Sequence, residues 1–200
     1  VAGLQAIATA RKLGAQVEAF DVRSAVKEEV MSLGARFVEV EGSREDAAAG
    51  GYAVEQTEDY RRRQQEAINQ HAAKANVVIC TAQIPGKKAP LLVSKEVVAL
   101  MQPGSVIIDL ATSTGGNCEL AEDNRTVVKH GVTIIGQSNY PAQMPKDASK
   151  MFGKNTCNFL ELLIDQDGNL KLDFEDNIVR ATCITHQGTI CNEKVKSAIR

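Results

Sequence analysis

The first 23 residues predict a helix that packs closely on a sheet, followed by a β-strand that ends at an acidic residue. In the helix, Gly3, Ala6 and Ala10 lie on one side at helical spacing. Because these side chains are small, the helix can approach a parallel sheet closely, as a helix does when its N-terminus faces a pyrophosphate. Residues 16–20 alternate in polarity as a strand does, and Asp21 stands at the carboxyl end of that strand.

The spacing of Gly3 and Asp21 indicates dinucleotide binding. Asp21 follows Gly3 by 18 positions, close to the ~20 that separate a dinucleotide-binding glycine from the acid that binds the adenosine ribose. A carboxylate there accepts hydrogen bonds from ribose hydroxyls and repels a 2′-phosphate, so it favours NAD over NADP, although Arg23 could attract such a phosphate. The preceding strand and the first two glycines of a G-x-G-x-x-G turn are expected before Val1.

Alternating helix and strand patterns over residues 1–140 predict an α/β fold with a Rossmann-type parallel sheet and flanking helices. The nearly all-apolar stretch 76–80 predicts a central strand buried on both faces. Further helices are predicted over residues 25–33, 59–75 and 94–101, and further strands over residues 36–41, 106–110 and 132–136.

Two loops and one acid are candidates for contacts with a ligand. Residues 42–59 have few apolar anchors, and Tyr52 follows Gly51 there, which favours a mobile lid over a tolerated insertion. Residues 81–86 follow a predicted buried strand, where ligands bind in open α/β sheets, although a plain turn would have the same pattern. Asp109 ends another strand and fits either a structural or a site role.

The pattern changes after residue 140. Two prolines predict a linker there, and the residues beyond it predict one helix and small antiparallel elements. We therefore divide the chain at residues 1–140, the nucleotide-binding domain, and 141–200, a C-terminal segment of a second α/β subdomain whose remainder precedes Val1. The features of this segment are Pro141, Pro145, a helix over residues 147–163, a turn at Asp167-Gly168 and an alternating stretch over residues 170–174.

Composition and motifs exclude several kinds of function. A formal net charge of -2 and 4% aromatic residues argue against nucleic-acid binding. Five cysteines form no C-x-x-C pair, and three histidines show no ligand spacing with them, so we expect scattered reduced thiols and no metal site. No nucleophile–base motif is present. We therefore assign no catalytic side chain and expect the chemistry to be that of the cofactor.

Seven stretches match the pattern of one family in order and spacing. They are Val1–Gly3, Phe20–Arg23, Gly50–Ala53, Ile84–Lys87, Pro103–Ala111, Gly115–Cys118 and Lys129–Val132. On these motifs the chain resembles the NAD(H)-binding domain I, in the alpha subunit, of proton-translocating NAD(P) transhydrogenases, which are relatives of alanine dehydrogenase. The resemblance covers nearly the whole chain.

The resemblance implies a set of cofactor-binding residues in addition to Gly3. It places one residue at the pyrophosphate, three at the adenosine side, two in a loop that closes over the nucleotide, one on the following helix and three at a strand end. In that order they are Val1; Asp21, Val22 and Arg23; Gly51 and Tyr52; Gln64; and Ala82, Gln83 and Ile84.

The resemblance also implies partners. In this family, NADH bound to domain I passes a hydride to NADP on a separate domain, and a membrane domain couples that step to proton movement. A homodimer is implied, as is a place on the cytoplasmic face of a bacterial inner membrane or the matrix side of an organelle membrane. Gln83 and Ser113 depart from the family pattern, which commonly has leucine and an acid there. The alternatives are an alanine dehydrogenase-like amino-acid dehydrogenase, which lacks its acid at Ser113, and a non-catalytic NAD-binding fragment.

Overall fold

A computed structural model describes residues 1–23, 25–40, 57–84 and 86–199. The chain divides into two compact units, Val1–Asn139 and Tyr140–Arg200. The functions assigned to the two segments of the sequence stay predictions.

Helices and mostly parallel strands alternate along the first unit. The prediction of an α/β fold with a Rossmann-type parallel sheet is confirmed. Its helices are α1 (Ala2–Lys12), α2 (Val26–Ser32), α3 (Glu58–Ala72) and α4 (Lys95–Leu100), and its strands are β1 (Glu18–Ala19), β2 (Arg36–Phe37), β3 (Val77–Cys80), β4 (Val106–Asp109), β5 (Thr126–Lys129) and β6 (Val132–Ile135).

The strands form two sheets. One contains β1 and β2 in parallel, and the other has the order β3-β4-β6-β5. β3, β4 and β6 are parallel, whereas β5 pairs antiparallel with β6 at the edge. Within the described residues, β3 has β4 as its one strand partner, and β1 has β2.

One face of the larger sheet is buried against helices. Cys80, Ile107 and Ile134 lie in a core to which α3 contributes Ala72 and α4 contributes Val98. The opposite face of β3 is open, since the side chains of Val77 and Ile79 are 54% and 41% exposed. The prediction that this strand is central and buried on both faces is therefore wrong for the described residues, because an apolar run does not report whether a second layer covers it.

A smaller core joins α1, α2, β1 and β2. Its buried members are Ile7, Val30 and Ala35. Gly14 ends α1 at a positive φ of 87°, and the Ala15 amide donates to the Ala10 carbonyl at 3.0 Å. This pattern is a Schellman cap and confirms the left-handed cap predicted at Gly14.

The second unit consists of helices and one small hairpin. It contains α5 (Tyr140–Gln143), α6 (Pro145–Leu163), α7 (Asn177–Thr182), β7 (Thr185–His186), β8 (Thr189–Ile190) and α8 (Glu193–Ile199). The prolines predicted to mark a linker lie within helices instead, and Pro145 occupies the first turn of α6, where its missing N–H costs nothing. Among the described helices of the chain, none has both the length and the apolar character that a bilayer crossing requires.

The predicted strand over residues 170–174 is also wrong. It is reduced to one bridge between Ile164 and Leu170. The carboxylate of Asp165 accepts the backbone amides of Asp167 and Asn169 at 3.0 and 2.8 Å. This side chain thus stabilises the turn, and the residues after Leu170 do not extend the pairing.

Candidate functional site

The N-terminal end of α1 lies beside the loop that follows β3. A Cβ built on Gly3 would come within 3.4 Å of the Thr81 hydroxyl oxygen, so the absence of a side chain lets the helix approach this loop. Val1 precedes the helix and is fully exposed, and the first turn carries no acidic residue. The first-turn N–H groups therefore retain the partial positive charge that attracts an anion.

Asp21 lies two residues after β1 and forms a bidentate pair with Arg23. Its Oδ1 accepts the backbone amide and the Nε of Arg23, both at 2.9 Å, and its Oδ2 lies 2.7 Å from an Arg23 terminal nitrogen. The carboxylate raises the pKa of the guanidinium, mainly through these hydrogen bonds. Val22, between them, is half-buried. The positive charge of Arg23 is therefore neutralised where it was expected to compete for a 2′-phosphate.

Tyr60 on α3 is buried near this ion pair. Its ring is 1% exposed, and burial, followed by the negative charge of Asp21, raises the pKa of its phenol. Thr57 begins the helix by accepting the Tyr60 amide at 3.2 Å. Gln64 follows Tyr60 by one helical turn and is half-buried.

The loop after β3 is fixed by a buried amide. Asn117 is fully buried, its Nδ2 donates to the Ala82 carbonyl at 2.9 Å, and its Oδ1 accepts the Ala82 amide at 3.1 Å. Nδ2 also donates to the Pro90 carbonyl at 2.8 Å. Gln83 is exposed, and its amide nitrogen donates to the Leu110 carbonyl at 3.3 Å, which links the ends of β3 and β4. Ile84 is half-buried.

Asp109 holds the turn from which Asn117 projects. Its carboxylate is fully buried, with Oδ1 accepting the Ala111 amide at 2.9 Å and Oδ2 accepting the amides of Asn117 and Cys118 at 2.7 and 2.8 Å. Three amides aimed at one carboxylate form charge-assisted bonds that offset its burial. Of the two roles left open for Asp109, this geometry supports the structural one.

The structure thus gathers the predicted residues into two groups. Gly3 lies against the loop containing Ala82–Ile84 through Thr81. Asp21 and Arg23 lie beside Tyr60, one turn from Gln64 on α3. Gly51 and Tyr52 fall outside the described residues, as does the predicted lid. No sequence pattern indicated a role for Tyr60, Thr81 or Asn117, although two glycines precede Asn117 shortly after the end of a strand.

Two surface depressions lie away from both groups. One, of about 230 Å³, lies between α1 and α2 and includes Leu4 and Glu29, and the other, of about 490 Å³, lies in the second unit and includes Glu161 and Asp173. Neither contains a predicted site residue. The strand ends carry the more specific polar geometry, and we take them as the candidate site.

The buried thiols beside the site are not available as nucleophiles. Burial raises the pKa of both Cys80 and Cys118, so these thiols stay protonated near neutral pH. Among the described residues, no three histidine, cysteine or acidic side chains are grouped as metal ligands. The described site offers hydrogen bonds, a helix end and an ion pair, which suit binding and orientation of a dinucleotide.

Comparison with known proteins identifies the family. The model of the alanine dehydrogenase/PNT C-terminal domain matches residues 1–193. The chain belongs to this family. It is 51% identical over 193 residues to the first of the chains that make up the NAD(P) transhydrogenase alpha subunit of Rhodospirillum rubrum, a match that covers 95% of this chain and 50% of the relative. The chain therefore spans about half the length of this relative.

A solved structure and a more distant relative agree with this assignment. The transhydrogenase of Sinorhizobium meliloti superposes with a TM-score of 0.73 at 39% identity, over 97% of this chain and 47% of that chain. The alanine dehydrogenase of Bacillus subtilis is 35% identical over 128 residues, or 62% of this chain and 34% of the relative. The resemblance to transhydrogenase alpha subunits is confirmed, and alanine dehydrogenases are the more distant group.

Proposed function

We propose that this chain belongs to the NAD(H)-binding component of a proton-translocating transhydrogenase. The observation that carries the proposal is the placement of the α1 N-terminus, at Gly3, against a strand-end loop that Asn117 fixes from below. This is the edge at which open α/β sheets bind dinucleotides. The names of the relatives supply the reaction, and the chain spans about half of their length.

The strand order supports the same proposal. If one parallel strand paired with both β1 and β3, the sheet would read β2-β1-new strand-β3-β4-β6, which is the order 3-2-1-4-5-6 of a dinucleotide-binding sheet. The new strand would be the first of the fold and would lead into α1. We propose that residues preceding Val1 supply it, together with the first two glycines of the phosphate-binding turn.

NAD(H) is the proposed ligand of this chain, and NADP(H) that of a partner domain. The Asp21 carboxylate has lone pairs for ribose hydroxyls, and it neutralises Arg23. A 2′-phosphate would have to displace the carboxylate from the guanidinium and would meet its negative charge. Val22 and Gln64 border this adenosine side, whereas Val1 and Gly3 border the pyrophosphate. Closure by Gly51 and Tyr52 stays a prediction.

The bound nicotinamide supplies the hydride chemistry. The residues of this chain bind and orient: Ala82, Gln83 and Ile84 form one wall, and Asn117 keeps that wall in place. We propose that the acceptor NADP sits on a separate domain, that a membrane domain couples transfer to proton movement, and that this component is a homodimer at the membrane surface.

The test is nucleotide binding by the full-length protein that contains this chain. Hydrogen bonds to a charged acceptor contribute about 1.5–3 kcal/mol each, so Asp21→Asn should weaken NADH binding roughly 10-fold to 100-fold. NADPH binding should be unchanged or stronger. The matched control is Glu122→Gln, which breaks an exposed pair with Arg125 of 3.2 Å far along the chain and should change neither affinity.

Calorimetry with NADH and NADPH measures both effects. Equal NADH affinity in Asp21→Asn and the unaltered protein would contradict the assignment of Asp21. The reaction itself requires hydride transfer from NADH to an NADP analogue once the NADP(H)-binding domain is added.

Alanine dehydrogenase activity is the second candidate, favoured by the shared family model and the Bacillus subtilis relative. It would appear as NADH oxidation that depends on pyruvate and ammonia. Ser113, which is exposed beside Thr112 and Thr114, offers a hydroxyl where that activity is expected to need an acid. A protein that binds NADH but shows neither activity with its partner domains present would be a non-catalytic NAD-binding protein.

A further inference from the structure

Two cysteines meet at the open end of the hairpin in the second unit. Cys183 directly follows α7, and Cys191 directly follows β8. Their sulfur atoms lie 3.5 Å apart, and both are free thiols. Cys191 is exposed and Cys183 is partly exposed, so a small reagent in solvent can reach the pair.

Backbone pairing fixes the separation of the two thiols. Thr185 pairs with Ile190 and His186 with Thr189, and the Cys191 amide donates to the Ile184 carbonyl at 2.9 Å. The turn between the strands, Gln187–Gly188, has φ values of 48° and 78°, as a type I′ hairpin turn requires. The pair therefore belongs to a regular hairpin and not to two independent loops.

A side-chain bond strengthens this arrangement from the other side. The Asn192 amide nitrogen donates to the Ala181 carbonyl of α7 at 2.9 Å, which ties the residue after Cys191 to the helix before Cys183. Both thiols are thus attached to backbone that is hydrogen-bonded across the hairpin.

The surroundings of the sulfurs suit a dithiol better than a metal site. The Cys191 thiol lies 3.4 Å from the carbonyl oxygens of Cys183 and Ile184, and the Cys183 thiol lies 3.5 Å from that of Thr185. His186, the nearest candidate for a third metal ligand in sequence, instead packs its ring 5.0 Å from that of Phe174. Within the described residues no third ligand joins the two thiols.

We propose that Cys183 and Cys191 form a reversible intrachain disulfide by exchange with a small disulfide such as oxidised glutathione. The sulfurs must approach by about 1.5 Å to reach the bond length of a disulfide, which rotation of the two short side chains can supply. The proposal is independent of the nucleotide-binding function.

The exchange takes place in two steps. The Cys191 thiol, which is the more exposed, loses its proton, and its sulfur attacks one sulfur of oxidised glutathione, which releases one glutathione thiolate. The Cys183 thiol then loses its proton and attacks the Cys191 sulfur, which releases the second. Two protein thiols are oxidised, and one molecule of oxidised glutathione is reduced to two of glutathione. Hydrogen bonding with Cys191 raises the pKa of the Cys183 thiol, in keeping with its role as the second nucleophile.

The product would join the end of α7 to the segment that begins α8. The hairpin amides, including that of Cys191, would then open less readily than in the reduced chain. Reduction by excess thiol would restore both cysteines.

Mass spectrometry of the folded chain tests the proposal. Trypsin cleaves after Arg180 and Lys194, so one peptide, Ala181–Lys194, carries both thiols and no other cysteine. After treatment with oxidised glutathione and alkylation of remaining thiols, this peptide should have lost two hydrogens and should carry no alkyl group. Its oxidation should be at least ~10-fold faster than modification of Cys157, an exposed thiol on α6 that is the internal control.

Variants and unfolding separate the fold from sequence proximity. In Cys183→Ser, Cys191 should accumulate the mixed disulfide with glutathione that the unaltered chain resolves. In the unaltered chain unfolded by urea, closure should be at least ~10-fold slower than in the folded state. The proposal is overturned if the folded peptide carries two glutathiones or two alkyl groups, if either cysteine pairs mainly with Cys157, or if closure is as fast in urea.

Discussion

Replacing Asp109 with alanine tests whether one buried carboxylate holds the candidate site together. In the folded chain the carboxylate is fully buried and accepts three backbone amides, those of Ala111, Asn117 and Cys118. Alanine would leave all three donors without an acceptor. It would also loosen the residue whose side chain fixes Ala82.

The magnitude follows from these three bonds. A buried donor without a partner costs about 1–3 kcal/mol, so three of them cost about 3–9 kcal/mol. Removing the carboxylate also removes the cost of burying its charge, which is several kcal/mol. We therefore expect Asp109→Ala to lower the free energy of unfolding by about 3–5 kcal/mol, a large share of the ~5–15 kcal/mol that stabilises a typical protein.

Asp109→Asn should lie between the alanine variant and the unaltered chain. Its amide oxygen can replace Oδ2, which accepts two amides, while the amide nitrogen would face the Ala111 N–H. One donor is then orphaned, at a cost of about 1–3 kcal/mol. The exposed control is Asp59→Ala, which removes pairs with Arg62 and Arg63 and should cost less than about 1 kcal/mol.

Urea unfolding followed by far-ultraviolet circular dichroism measures these differences, since the chain has no tryptophan. Amide hydrogen exchange at Asn117 and Cys118 adds a local measurement, because both amides lose their acceptor. The reasoning fails if Asp109→Ala costs less than about 1 kcal/mol, or no more than Asp59→Ala. It also fails if exchange at the two amides is unchanged.

Two further variants test other buried features. Tyr60 is buried in its neutral form, and the raised pKa of its phenol means that its contribution to stability is present below pH ~10 and lost above it; Tyr60→Phe should therefore lose less stability than the unaltered chain between about pH 9 and 11, and equal slopes of urea midpoint against pH would contradict this. Gly136→Ala would drive a Cβ into the Glu122 carbonyl oxygen, so it should destabilise by about 1–3 kcal/mol or more, whereas Gly153→Ala, in open space on α6, should stabilise slightly; similar thermal midpoints for the two variants would refute the close approach.

Local periodicity is why most of the fold could be predicted. The boundaries of α1 and α2 follow from their apolar spacing and from Gly14 and Gly34, whose positive φ ends each helix. Ser94 caps α4 by accepting the Val97 amide, as its position before an apolar stretch suggested. Such signals act within a few residues, so a single sequence contains them.

Features that depend on distant segments of the chain could not be predicted. The openness of one face of β3 depends on what covers Val77, which no local pattern reports. Asn117 and Ala82 are 35 residues apart, and their pairing follows from the meeting of two strand ends. The pair of cysteines likewise required the register of a hairpin, since their spacing matches no known motif.

The binding residues show the same division. Asp21 could be named because the ~20-residue spacing from a glycine is itself a sequence signal. Its bidentate pair with Arg23 is local as well, yet the sequence suggested competition between the two side chains, whereas the geometry shows neutralisation. Tyr60 gave no signal, because one aromatic residue in the first turn of a polar helix has no distinctive pattern.

The unpaired edge of β3 has a consequence for how this protein assembles. Neighbouring residues of a parallel strand direct their backbone groups to opposite edges, and the Asn76 and Cys80 carbonyls accept bonds from β4 and the residue that follows it. Val77 and Ile79 therefore present N–H and C=O groups, and exposed apolar side chains, to any strand that approaches. The same strand leads directly into the loop at Ala82. Filling the edge would order that loop, so a chain segment that completes the sheet and a nucleotide that binds the loop would each strengthen the binding of the other.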